Sequence, residues 1–150
     1  KHPSHFPLRM LHHDAKASNI LFDSNTHRVI CPIDFDTTQP GLFFSDLGDM
    51  IRSMVASHPE SERDTTMLEV RHLMLEAIVQ GYQDATHTMW TPMEKEALPL
   101  SGKLLLYMQA MRFLTDYLNN DVYYQTTYEG QNLDRAANQC TMLHLLNEVM

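Results

Sequence analysis

The chain's 150 residues suffice for one well-buried core, because a domain of that size removes about two thirds of its unfolded surface from water. A net charge of −8 at neutral pH, with the acidic residues scattered along the chain, excludes a phosphate-backbone binder, which needs a basic face. No run approaches the roughly 20 apolar residues of a membrane span, and KHPSHFPLRM lacks the apolar centre of a signal peptide. The expectation is a cytoplasmic domain with neither nucleic acid nor membrane as partner.

Residues 1–10 hold two prolines and two histidines and are expected to be irregular. ILF (20–22) and RVICPID (28–34) are short apolar runs around the turn cluster DSNT, which predicts a hairpin. Val29, Cys31 and Ile33 share one side of the second run, and Pro32 places that strand at an edge or bulge. TTQPG is a further turn signal. From Ser45 the apolar spacing is helical, with Ser45 as N-cap and Asp46 and Asp49 in the first turn.

SHPESERD interrupts, and Leu68 to Tyr82 carry a second helix ending near Gly81. TPMEKEAL opens with Thr91, Pro92 and Glu94 in capping-box spacing, and Pro99 closes it. Leu104 to Leu118 is the strongest helical pattern, with Tyr107, Met111, Leu114 and Leu118 on one stripe and Met108 and Met111 as core filler. NNDVYYQTTYEGQN reads as loop or short strand, and Leu133 to Val149 as a last helix. Cys31 and Cys140 form no CxxC and are expected to be buried, reduced thiols. No glycine-rich phosphate loop occurs in the sequence.

The chemistry concentrates in LHHDAKASNILFD (11–23). Asp14 and Asn19 lie on a loop entering one strand of the hairpin and Asp34 ends the other, so the three groups can converge at one end. A carboxylate and an amide oxygen suit Mg²⁺, a hard ion that keeps several waters. A second carboxylate can orient or deprotonate a hydroxyl. The bland alternative makes Asp14 and Asn19 turn residues and Asp34 a strand end.

HHDAKASN (12–19) fits the HxDxxxxN catalytic-loop pattern of protein-kinase-like phosphotransferases, with IDFD (33–36) at the place of their DFG-type motif. IDFDTTQPGLFFSDLGDMIR resembles the aminoglycoside phosphotransferase superfamily, and with RFLTDYLNNDVYY the chain is similar to its N-acetylhexosamine 1-kinase branch. The resemblance implies an α+β, mostly α fold: a kinase-like C-terminal lobe in one domain, 1–150. Within it, 1–10 are irregular, 11–44 form the catalytic loop, hairpin and metal motif, and 45–150 are helical.

The implied function is ATP-dependent phosphorylation of a sugar hydroxyl, best read as the anomeric one of an N-acetylhexosamine. Alternatives are an aminoglycoside, choline or homoserine-type alcohol, or a non-catalytic binding module. The resemblance makes Asp14 the base that aligns the hydroxyl, Asn19 and Asp34 the Mg²⁺ ligands, and Lys16 a contact to the transferred phosphoryl group. It makes Arg112 and Tyr123 substrate-binding residues. Against these stand a surface ion pair of Arg112 with Asp116 and a packed aromatic at Tyr123. Asp46 and Asp49 are read as structural, His12 as support for the loop, and Asp36 has no derived role. The chain begins at Lys1 without methionine, which points to a piece of a longer protein or to a processed one. The N-terminal lobe that covers ATP is expected as a partner, and the 150 residues alone are expected to be nearly inactive.

Overall fold

The computed structural model describes residues 5–150. Two short antiparallel sheets open it: β1 (Arg9–Leu11) pairs with β4 (Gln39–Gly41), and β2 (Ile20–Phe22) with β3 (Val29–Pro32). The predicted hairpin is β2–β3. Its turn is held by Asp23 Oδ1, which accepts the N–H groups of Asn25 and Thr26 at 3.0 and 2.7 Å, and a bulge lies between Leu21 and Phe22. Arg9 and Met10, expected to be irregular, are strand because Gln39–Gly41 returns beside them, with Pro40 opposite Met10. In a two-stranded sheet every strand is an edge, where proline is tolerated.

The rest is helical: α1 (Phe44–Met54), α2 (His72–Thr86), α3 (Pro92–Ala97), α4 (Leu100–Leu118) and α5 (Gln131–Val149). The capping box at Thr91 and Glu94 forms as expected. Glu94, 1% exposed, also receives the Arg9 guanidinium, whose second branch meets the Met89 carbonyl, so β1 is clamped to the start of α3. Ser45 does not cap α1. The helix starts one residue earlier, and the Ser45 hydroxyl is spent on His13. Gly81 does not end α2, which runs on to Thr86 because nothing there imposes a left-handed turn.

Helix α4 packs against both α1 and α5, and its buried face differs from the expected stripe. Leu106, Ala110 and Phe113 are buried, whereas Tyr107, Met108, Met111 and Leu118 are exposed. The reason is close packing. A Cβ on Gly102 would come 2.6 Å from Ile51 Cγ2 of α1, and one on Gly48 would come 2.4 Å from the Ser101 carbonyl oxygen. Small residues therefore occupy the contact line and larger apolar ones flank it. The core gathers Phe43, Leu47, Ile51, Val55, Leu98, Leu106, Met142 and Leu146. Cys31 is half-buried and Cys140 exposed, so the expectation of two buried thiols fails; both are free. Among the described residues no helix is long and apolar enough to cross a membrane.

Candidate active site

Between β1 and β2 the chain makes a tight loop whose geometry is set by helix α1. Asp46 accepts the backbone N–H groups of His12 and His13 at 3.0 and 2.8 Å. His13 has a left-handed backbone, φ 65°, which costs a non-glycine residue about 1–3 kcal/mol. It is held there by Asp46, by Ser45 Oγ at 2.7 Å and by the Gln39 carbonyl at 3.2 Å. Its ring fills the space beside Gly41, where a Cβ would lie 2.3 Å from Cε1. His12 supports the loop as expected, with Nε2 2.8 Å from the Ile33 carbonyl.

This frame brings Asp14, Lys16 and Asn19 together. The side-chain amide of buried Asn19 donates to Asp14 Oδ2 at 2.7 Å and to the Asp14 carbonyl at 2.9 Å, while the Asn19 backbone carbonyl accepts the Ile33 N–H at 2.9 Å from the far side of the hairpin. Lys16 Nζ stands 2.7 Å from the same Oδ2. Burial pushes the Asp14 carboxyl up, but the hydrogen bonds of Lys16 and Asn19 and the Lys16 charge hold it below the usual carboxylate range. Asp14 Oδ1 keeps no hydrogen bond to another described residue.

Asp34, exposed and left-handed at φ 66°, follows β3 and lies within the electrostatic reach of Asp14 and Lys16. A hydrogen bond shared with Asp36, and then the Asp36 charge, push the Asp34 carboxyl above its ordinary value. Among the described residues no three His, Cys, Asp or Glu side chains form a metal cage. Asn19 and Asp34 instead offer one amide oxygen and one carboxylate beside a second acid, and this oxygen set suits a hard cation that shares its remaining positions with phosphate and water.

Asp14 and Lys16 open onto a cavity of about 790 Å³, which also receives Asp49 and Arg52 of α1, Glu60, Arg112 of α4, Tyr123 and Tyr124, and Gln139 of α5. Residues more than a hundred positions apart thus face one space. Arg112 makes no ion pair with Asp116. Its guanidinium lies over the rings of Tyr123 and Tyr124 at 5.7 and 5.6 Å. Asp116 is buried and accepts the N–H groups of Tyr123 and Tyr124, both at 2.8 Å, and the Asn132 amide at 3.0 Å. Tyr123 is 73% exposed, and its ring meets that of Tyr124 edge-on at 4.8 Å.

The reading of Asp46 as structural fits its bracing of the loop, but Asp49 lies in the cavity wall. Burial pushes the Asp49 carboxyl up, and the charge and hydrogen bond of Arg52 offset this only in part. The spacing of Asp49 to Arg52 on one helix was the available signal; that Glu60 also meets Arg52, at 3.1 Å, was not legible locally.

A carboxylate held by an amide and an ammonium thus lines a cavity of small-molecule size, with a further acidic group within electrostatic reach. The phosphotransferase enzyme family (APH) has a model that matches residues 1–94, and the chain belongs to that family. Membership implies kinase-type phosphoryl transfer to a small molecule, and members of the family use ATP and in general Mg²⁺. The match includes Asp14, Asn19, Asp34, Asp49 and Glu60 and stops short of Arg112, Tyr123 and Gln139.

Proposed function

We propose that the protein is the catalytic lobe of an ATP-dependent sugar kinase, and that its acceptor is the anomeric hydroxyl of an N-acetylhexosamine. The observation that carries this reading is that Asp14 shares its cavity with Arg112 and Tyr123. In the proposed reaction the acceptor oxygen bonds to the γ-phosphorus of ATP, the bond from phosphorus to the β-phosphate oxygen breaks, and the hydroxyl proton leaves toward Asp14.

Asp14 Oδ1 is the oxygen free to hold that hydroxyl, because Oδ2 is occupied by Lys16 and Asn19. A carboxylate so held is a weak base, and its main task is alignment, which a loose phosphoryl-transfer transition state mostly requires. Lys16 is placed to meet the transferred phosphoryl group. Asn19 and Asp34 would hold Mg²⁺, which when bound neutralises phosphate charge.

The charges of the cavity support a neutral acceptor over a polycationic one. Asp14 is paired with Lys16, and both Asp49 and Glu60 with Arg52, while Arg112 adds a cation with no carboxylate partner among the described residues. Leu21, Phe22, Val29, Ile30 and Phe35 are large apolar side chains exposed on the hairpin unit, which supports a second lobe of the same protein covering the nucleotide there.

The test is a coupled ATPase assay of the full-length protein over a panel of N-acetylhexosamines, other sugars and amino alcohols, with the product identified by phosphorus NMR. Stimulation by an N-acetylhexosamine with phosphate at the anomeric position is expected. Stimulation by none of them overturns the acceptor assignment.

A further inference from the structure

Asp49 stands almost one helical turn beyond Asp46, in the wall of the cavity that holds Asp14. Its side chain is 8% exposed, and Oδ1 takes the Arg52 Nε–H at 2.8 Å. Oδ2 is buried and has no hydrogen-bond partner. Arg52 does not reach it: its Nε is on Oδ1 and its Nη1 on Glu60 at 3.1 Å. On α5, Gln139 is 2% exposed and lines the same cavity; its amide nitrogen donates to Asn138 Oδ1 at 3.2 Å, and its Oε1 is likewise buried without a partner.

Buried polar atoms without partners are rare and costly. Both orphaned side-chain atoms of this cavity wall are acceptors, so the complementary ligand is one that donates hydrogen bonds at two places. A cation would also donate, but Arg112, lining the same cavity, opposes it, and the Arg52 guanidinium already offsets one of the two carboxylates beside it.

We propose that Asp49 determines acceptor specificity: Oδ2 takes a hydrogen bond from a hydroxyl of a neutral, polyhydroxylated molecule at a position other than the one phosphorylated, and Gln139 Oε1 takes a second. This rests on the reading of the cavity as the acceptor site. Asp49 thereby separates molecules that present the reacting hydroxyl equally well but differ at their far end, as a site built to bind a hydroxyl rejects the analogue that lacks it.

The experiment measures Kd by calorimetry for the full-length protein with N-acetylhexosamines in which each hydroxyl in turn is replaced by fluorine, an atom that accepts weakly and donates nothing. In the wild type one non-reacting position should cost about tenfold or more in affinity. In Asp49→Asn, whose amide N–H replaces the carboxylate oxygen, the same fluorine should cost less than about twofold, with ATP affinity unchanged. Equal losses in both proteins at every position, or no position costing the wild type more than about twofold, overturn the proposal. The wild-type scan decides alone if the variant does not fold. The binding pattern without anomeric phosphorylation sinks the proposed reaction and leaves Asp49 standing, whereas turnover of another alcohol with no binding of any neutral polyol sinks Asp49.

Discussion

Lys16 Nζ lies 2.7 Å from Asp14 Oδ2, so the cation two residues after the carboxylate rests on it in the structure. Asp14 has a folded value below its unfolded one, because the Lys16 and Asn19 hydrogen bonds and the Lys16 charge outweigh burial. It is therefore ionised at every pH above the ordinary carboxylate range, and its stabilising pairing is lost only as pH falls through the lowered value, below about pH 4. Removing Lys16 deletes two of the lowering causes. The acid limb of the kcat/KM profile should move to higher pH in Lys16→Ala than in the wild type, and an unmoved limb would mean that Asp14 does not report there.

Asp14→Asn keeps the shape of the loop but presents an amide where the hydroxyl should dock. Activity of the full-length protein should fall by about a thousandfold, within the range of a general-base contribution, while the urea midpoint changes little, since Asp14 is not fully buried. Retained activity would refute Asp14 as the acceptor-facing carboxylate.

Asp46, on α1, accepts the backbone N–H groups of His12 and His13 at 3.0 and 2.8 Å. A hydrogen bond to a charged acceptor is worth about 1.5–3 kcal/mol, and less where water can replace the acceptor, as at these two part-buried N–H groups. Asp46→Ala should destabilise the fold by roughly 2–3 kcal/mol in urea unfolding and lower kcat more than the KM for ATP rises, because the left-handed turn at His13 loses its anchor.

Asp116 fixes the tyrosine loop through the N–H groups of Tyr123 and Tyr124. Burial pushes its carboxyl up, and those N–H groups with that of Val122 bring it below the usual range, so the loop should stay firm at neutral pH and loosen only in acid. Asp116→Asn should speed hydrogen exchange at the Tyr123 and Tyr124 amides and raise the KM for the acceptor, with the exchange of α1 amides unaltered.

The helix glycines separate packing from propensity. A methyl on Gly48 would meet the backbone oxygen of Ser101 at 2.4 Å, whereas one on Gly81 meets nothing within 4 Å. Thermal unfolding should show Gly48→Ala destabilised by about 1–3 kcal/mol and Gly81→Ala stabilised by about 0.5–1 kcal/mol.

Local chemistry made much of this protein legible. DSNT between two apolar runs marks the hairpin, and Thr91, Pro92 and Glu94 mark the start of α3, because turn and cap residues act on backbone groups a few positions away. The spacing of Asp14, Asn19 and Asp34 pointed to one end of that hairpin for the same reason. The stripe assigned to α4 was the wrong one, since periodicity registers large apolar residues and is blind to a contact line of Gly102 and Ala110 that lets α1 and α5 approach.

By itself the sequence determined the helical and hairpin segments and the loop proposed to carry the chemistry, all properties of neighbours along the chain. Only the tertiary structure decided that Ser45 serves His13 instead of a helix end, that Asp116 holds backbone instead of Arg112, and that Asp49, Arg112, Tyr123 and Gln139 face the same cavity as Asp14. Those outcomes depend on how α1, α4 and α5 pack together, and packing brings together residues whose separation along the chain carries no local signal.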